Sequence, residues 1–386
     1  MFSHRTQWRR EANRLSLAQA EMTASGTPIL DLTRSNPTEC GFQYEDSRVI
    51  RSMAQGGVLR YQPDPMGLLA CREAICGYYQ GMEAPVRPHE LALTSGTSEA
   101  YSWIFRLLCN AGDEVLIPSP GYPLFDLLAD LCDVKLVRFP LVYDHGWQID
   151  FTALAAAATD RTRAVVVVHP NNPTGHYVSG QERSRLEDCC RQHGLALIAD
   201  EVFLDFSHDS GLRQSFASSS GTLTFTLSGL SKLCGLPQMK LAWIAVGGPE
   251  TEKSEALARL EIIADSFLSV GTPVQLAGPE LLASRTAFQA QATKRIRQNL
   301  RAMDEQLSGQ AICERLKYEG GWTAVLRMPA VQPDEDLAIK LLQERGVMVH
   351  PGHLYDFAQP GYLVVSLIVP ADQFAEGLRR ILSDFV

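Results

Sequence analysis

Five short segments carry side chains whose types and spacing suit chemistry. Lys232 lies in SGLSKLCGLPQMK, a Ser/Gly-rich loop that follows an apolar run. A lysine held partly dry gives up its proton more readily and becomes a nucleophile toward an aldehyde. In water the same lysine is an ordinary loop residue. Asp200 closes the apolar run of LIADEVF, where a carboxylate is costly unless a cation faces it. A structural salt bridge or a helix cap fits equally well. In SGTSEA, Gly96, Thr97 and Ser98 precede Glu99. A glycine turn opening a helix leaves N–H groups and hydroxyls converging on one point, the usual construction of an anion site. The same letters also read as a plain capping box. HPNNPTG sets Asn172 in a turn with its amide free to meet a ligand, and PSPGYPLF fixes Tyr122 between Gly121 and Pro123. An aromatic ring in so rigid a turn can stack on a flat ligand or simply pack. HPNNPTG is longer than turn chemistry alone requires.

The five segments need a frame that brings them together. Between about 90 and 247, short apolar runs alternate with helical stretches. The runs are Leu91–Thr94, Glu114–Ile117, Val134–Phe139, Ala164–Val168, Leu195–Ala199, Thr222–Leu227 and Leu241–Val246. Helices are expected at Thr97–Asn110, Phe151–Ala158 and Gly180–His193. AVVVV is β-branched and apolar on both faces, as in a strand covered by helices on each side. This alternation predicts an α/β fold: a large domain with a mostly parallel seven-stranded sheet sandwiched by helices. Strands at Trp322–Arg327, Val347–His350 and Leu363–Ile368, with helices at Asp334–Arg345 and Ala371–Phe385, predict a smaller α+β domain. Polar helical sequence at 251–310 joins the two. The expected division is 1–45 for an N-terminal arm and the start of the small domain, 46–275 for the large domain and 276–386 for the small one. All five segments directly follow predicted strands, where ligands sit in open α/β sheets.

Composition removes several classes of function. The 386 residues are 45% hydrophobic and 20% charged, enough to bury a core and unlike a disordered chain. The net charge of −9 lacks the basic stripe that nucleic acid demands, so no nucleic-acid partner is expected. No apolar run has the ~18–20 residues that span a bilayer, so no membrane partner is expected either. The start, MFSHRTQWRREANRL, reads as an amphipathic arm; Glu11 and Glu21 argue against a transit peptide. Nine cysteines, an odd number without a metal-ligand spacing, fit free thiols in a reducing cytoplasm and no bound metal.

A phosphate cup, a stacking ring, an amide, a buried carboxylate and a lysine together match the parts of pyridoxal 5′-phosphate. These are its phosphate, ring, phenolic oxygen, pyridine nitrogen and aldehyde. On these residues the sequence resembles the class I/II aminotransferases of fold type I, from about Leu30 to the C-terminus. The resemblance implies an aspartate aminotransferase-like fold and transfer of an amino group between an amino acid or related amine and a keto acid. It assigns Lys232 as the Schiff-base lysine and general base, Asp200 to the pyridine nitrogen and Asn172 to the phenolic oxygen. Asn36-Pro37 resembles the family's early substrate-side turn. Tyr61, with Gly67 and Arg72 in YQPDPMGLLACREAI, resembles the residue that reaches a neighbouring subunit's cofactor, which implies a homodimer with shared sites. GGW at 320–322 and Pro351-Gly352 resemble small-domain landmarks.

Four positions depart from the pattern. Phe203 stands where a tyrosine donates to the phenolic oxygen. Lys240 replaces a phosphate-binding arginine, keeping charge but losing the bidentate fork. Gly229 replaces a phosphate-binding serine, leaving Ser228 or Ser231 to compensate. Val364 occupies the place of the arginine that pairs with the substrate carboxylate. Arg34, near the Asn36 turn, is then the candidate cation, unless the substrate lacks that carboxylate. Phe203 and Val364 leave other pyridoxal phosphate reactions open: β-elimination, decarboxylation or an oxidase-like side chemistry. A cofactor-binding sensor is the non-enzymatic alternative.

Overall fold

The computed structural model describes residues 1–8 and 10–383. Arg9 of the expected arm and residues 384–385 of the expected last helix lie outside them. In the arm, Arg5 pairs with Asp133 and Trp8 Nε1 donates to Asp130 Oδ2 at 2.8 Å. The chain then forms α1 (Arg14–Ala24), β1 (Leu30–Asp31), α2 (Asp46–Met53) and α3 (Leu69–Gln80).

The central region alternates strand and helix. It runs β2 (Leu91–Thr94), α4 (Thr97–Leu108), β3 (Glu114–Ser119), α5 (Phe125–Leu131), β4 (Lys135–Tyr143), β5 (Trp147–Ile149), α6 (Phe151–Ala157), β6 (Thr162–Val168), α7 (Gly180–His193), β7 (Ala196–Asp200), β8 (Thr224–Gly229), α8 (Leu230–Leu233) and β9 (Ala242–Gly247). One sheet holds them in the order β2-β9-β8-β7-β6-β3-β4-β5. Seven strands are those expected. The eighth is the short β5, formed where the chain turns back after β4 through Asp144-His145-Gly146 and pairs antiparallel with β4. Within the expected seven, β9 alone runs against the others.

Local sequence explains these elements. Successive valines of β6 feed opposite cores: Val166 and Val168 pack with Trp103 and Phe105, while Val165 and Val167 pack with Leu186 and Cys190 of α7. This is why the run is apolar on both faces. Helix α7 starts at a Ser179/Glu182 capping box and stops at Gly194, whose φ of 65° suits glycine.

The remainder comprises α9 (Glu250–Asp265), α10 (Thr272–Ala283), α11 (Arg285–Leu307), β10 (Glu314–Arg315), β11 (Thr323–Arg327), α12 (Asp334–Arg345), β12 (Val347–Met348), β13 (His350–Pro351), β14 (Tyr362–Ser366) and α13 (Ala371–Leu382). A four-stranded antiparallel sheet, β10-β11-β14-β13, packs with α11, α12 and α13. The N-terminal β1 pairs with β12, and α1 packs on α12. A division at 275–276 runs through α10, a helix that lies against α2 and α3.

Candidate active site

The parallel strands β2, β3, β6, β7 and β8 end at one edge of the large sheet, and the antiparallel β9 begins there. Thr94 and Gly229 both pair with Ala242, so Lys240 and Gly96 are neighbours. A Cβ built on Gly96 would lie 3.4 Å from the Lys240 ammonium. Gly96 is the N-cap of α4, and Ser95 N–H bonds Glu99 Oε2 at 2.7 Å. Among the described residues, the Thr97 and Ser98 hydroxyls have no hydrogen-bond partner. A cation, two hydroxyls and a helix N-terminus therefore face one place.

Asp200 ends β7, almost fully buried. Its Oδ2 accepts from the Tyr101 hydroxyl at 3.1 Å and its Oδ1 from Val202 N–H at 3.1 Å. Burial pushes its carboxyl up to about 6, against the pull of those two donors and of Lys232. Tyr101 escaped the sequence reading. It lies four residues after Thr97 on α4, so the helical period puts both on one face.

Lys232 rests on α8, partly buried. Its Nζ is 5.7 Å from the Phe203 ring centre and 5.1 Å from that of Trp322. Burial lowers its pKa and the Asp200 charge raises it again, with burial the stronger. Phe203 meets Trp322 edge to face at 5.4 Å. Trp322 is thus part of the Lys232 enclosure, which the GGW string alone did not reveal.

The turn after β6 is braced by Asn171, whose Oδ1 accepts from Thr174 Oγ1 at 3.0 Å. That leaves Asn172, with its buried Oδ1 lacking any partner. Tyr122 packs edge-on against Phe125 and keeps 42% of its surface exposed.

A family model described as aminotransferase class I and II matches residues 29–381. The chain belongs to the class I and II aminotransferases. It is 28% identical over 390 residues to an alanine aminotransferase of Mycobacterium tuberculosis, covering 94% of this chain and 86% of that one. It is 30% identical over 253 residues to a glutamate-pyruvate aminotransferase of Escherichia coli, covering 65% and 62%. In fold it is similar to an alanine aminotransferase of Pyrococcus furiosus, with a TM-score of 0.90 at 22% identity over 100% and 99% of the two chains. An aspartate aminotransferase double mutant of Thermus thermophilus gives 0.84 at 24% identity over 98% of each. As an aminotransferase the protein moves an amino group between an amino compound and a keto acid.

Gly229 and Val364, read from the sequence as departures, sit in closely packed surroundings. A Cβ on Gly229 would meet Ala242 Cβ at 2.7 Å, so β9 leaves no room for a serine. Ser231 is partly buried beside Lys232. Val364 is fully buried, shares a core with Val325 and Tyr355, and is sealed from any ligand. The Ser366 hydroxyl, two residues on, is buried without a partner. Ser366 N–H bonds Leu32 O at 2.7 Å, and Leu367 N–H bonds Trp322 O at 2.7 Å. These bonds tie the segment just before Arg34 to the end of β14, and the residue after β14 to Trp322. Arg34 has no ion pair among the described residues.

The Asn36 side chain is engaged within its own turn. Its Oδ1 accepts from Thr38 Oγ1 at 2.8 Å and its Nδ2 donates to Glu39 Oε1 at 2.9 Å. Both ends of the amide form bonds within the turn. Tyr61 stands apart from the Lys232 cluster, 80% exposed in the single chain. Arg72 holds the loop before α3 by bonding Gly67 O and Pro88 O at 2.8 Å each.

Proposed function

We propose that this aminotransferase works through pyridoxal 5′-phosphate held at the sheet edge, with Lys232 as its reactive amine. The observation that carries the reading is Lys232 enclosed by Phe203 and Trp322 and facing the buried Asp200 carboxylate. The residues present suit the cofactor. The Gly96 cradle with Lys240 suits a phosphate, and the unpartnered Asn172 amide suits a phenolic oxygen.

The cofactor, when bound, supplies an aldehyde and a ring that accepts electrons. The chain supplies the rest. Thr97, Ser98, Ser231, the α4 N-terminus and Lys240 hold the phosphate. Tyr122 covers one ring face. Asp200, held by Tyr101, keeps a proton on the ring nitrogen. Phe203 offers no hydroxyl and serves as an apolar wall. Burial keeps a larger fraction of Lys232 neutral than water would. The amine can then take the proton from the substrate α-carbon and return it elsewhere, as general base and then acid.

For the substrate we propose an α-amino acid whose carboxylate meets Arg34 and the Asn172 amide in place of an arginine at 364. The relatives named alanine and glutamate-pyruvate aminotransferase support small amino acids and their keto acids as partners. The exposed Leu59, Tyr61 and Ile262 support a homodimer in which Tyr61 reaches the second subunit's site. All nine cysteines are unpaired, which supports a reducing cytoplasm; no helix among the described residues is long and apolar enough to cross a membrane.

Borohydride reduction followed by peptide mass spectrometry tests the central claim. A stable adduct at Lys232 is expected, lost in Lys232→Ala along with turnover. An unmodified Lys232, or a Lys232→Ala enzyme with intact turnover, refutes it. Mixing Lys232→Ala with Tyr61→Phe tests the shared site: hybrid dimers with one competent site should regain activity.

A further inference from the structure

A second buried ionic cluster lies behind the Asn172 turn. His176 is about 94% buried, at 6% exposure, and Glu182 Oε1 on α7 stands 3.1 Å from its Nε2. Glu319 Oε2 stands 3.5 Å from its Nδ1, an ion-pair distance without hydrogen-bond geometry. Glu319 belongs to the segment that runs into Trp322 and β11. Its carboxylate also accepts from Tyr177 N–H at 3.0 Å and pairs with Lys317 Nζ at 2.8 Å.

The two backbones meet closely here. A Cβ on Gly175 would strike Gly320 O at 2.6 Å, and one on Gly320 would strike Tyr177 Cε2 at 2.5 Å. Thr323 Oγ1 donates to Pro173 O at 3.0 Å, and Gly321 N–H donates to Phe206 O at 2.9 Å. The glycines permit contact without choosing its register, and buried ionic pairs are best attested as devices that fix register.

We propose that the His176–Glu319 pair is a positioning clamp that sets Asn172 and Trp322 relative to each other, and so shapes both walls around Lys232. His176 and Glu319 touch none of the reacting atoms and act through these two neighbours. The inference rests on the proposed roles of Lys232 and Asn172.

Charge arithmetic gives the test. His176→Gln leaves the Glu182 and Glu319 carboxylates without the imidazole between them, with Lys317 still paired to Glu319. Adding Glu319→Gln removes one of the two charges and keeps the side-chain shape. In the holoenzyme, kcat in His176→Gln should fall by about tenfold, with KM for the amino donor changed less than about threefold. The double variant should recover most of that loss, which marks direct coupling.

Hydrogen exchange in the cofactor-free protein gives a second readout. Peptides covering 171–178 and 317–323 should exchange faster together in His176→Gln, and other peptides should not. The charged groups facing His176 are Glu182 and Glu319, the latter paired with Lys317, with the neutral His169 beside it just after β6. These carboxylates hold its proton up to about pH 8. In the wild type both peptides should therefore loosen as pH passes that value, after correction for intrinsic rates; the double variant should show no such step. Single variants that match the wild type in kcat and exchange would overturn the proposal, as would a double variant with additive losses. Absence of the Lys232 adduct would instead sink the reading beneath it.

Discussion

Replacing Tyr101 by phenylalanine removes one of two hydrogen bonds to a buried carboxylate. With its carboxyl at about 6, Asp200 is ionised in about ten molecules for each protonated one at pH 7. A hydrogen bond to a charged group is worth about 1.5–3 kcal/mol, or about 10- to 100-fold in the protonation equilibrium. Without it, half or more of the Asp200 side chains become neutral at pH 7. The sign for stability follows. A carboxyl raised by burial binds its proton better folded than unfolded, so the cofactor-free protein loses stability as pH climbs from the ordinary aspartate value through about 6. Tyr101→Phe extends that loss to higher pH. Cofactor binding reads out the same change, since a neutral Asp200 no longer attracts a protonated ring nitrogen. Titrating cofactor-free variant and wild type with pyridoxal 5′-phosphate between about pH 5 and 9 should give a ratio of dissociation constants that is about tenfold or more at the acid end and falls toward one as pH climbs past both carboxyl values. A ratio that stays flat across pH would refute the reasoning.

Other substitutions probe separate parts. Gly229→Ser forces a side chain against Ala242 and should cost about 1–3 kcal/mol in denaturant melts, without tightening the cofactor. Gly96→Ala brings a methyl against the Lys240 ammonium; cofactor dissociation should quicken several-fold, measured by visible absorbance after dilution. Val364→Arg buries an unpaired guanidinium and should unfold at least about 3 kcal/mol more easily, with no gain toward carboxylate substrates in steady-state kinetics. Phe203→Tyr adds a hydroxyl donor beside the phenolic oxygen, so the pH at which the holoenzyme's visible band bleaches should drop. His176 holds its proton more tightly folded than unfolded. Its contribution to stability is full below its ordinary pKa of about 6.5 and lost through about 8, roughly 2 kcal/mol in all. Urea melts of His176→Gln should lack this decline.

Legibility followed the range of the forces involved. Strand Leu91–Thr94 and helices Gly180–His193 and Asp334–Arg345 have the bounds expected, because each is fixed by local pattern and by caps such as Ser179 and Gly194. The hairpin strand Trp147–Ile149 was missed: three residues after a polar turn carry too little periodicity. The roles given Lys232, Asp200 and Asn172 are proposed; the three were singled out in the sequence by the strands they follow. Tyr101 was not, since its pairing with Asp200 spans the β2–β7 separation. Gly229 stood out in sequence, yet its cause is a neighbour thirteen residues away across β9. The bonds that the Asn36 amide makes within its turn depend on geometry and were not legible in the sequence.

Helix α11 runs unbroken for 23 residues, about 35 Å at 1.5 Å per residue. Near one end, Phe288 packs against Trp322 at 6.0 Å between ring centres; toward the other, Met303 and Leu307 are buried under the small sheet. Such a rod is a lever arm. A tilt of about 5° at Phe288 sweeps Leu307 through about 2–3 Å, so adjustments too small to notice beside the lysine become visible travel at the far rim of the molecule.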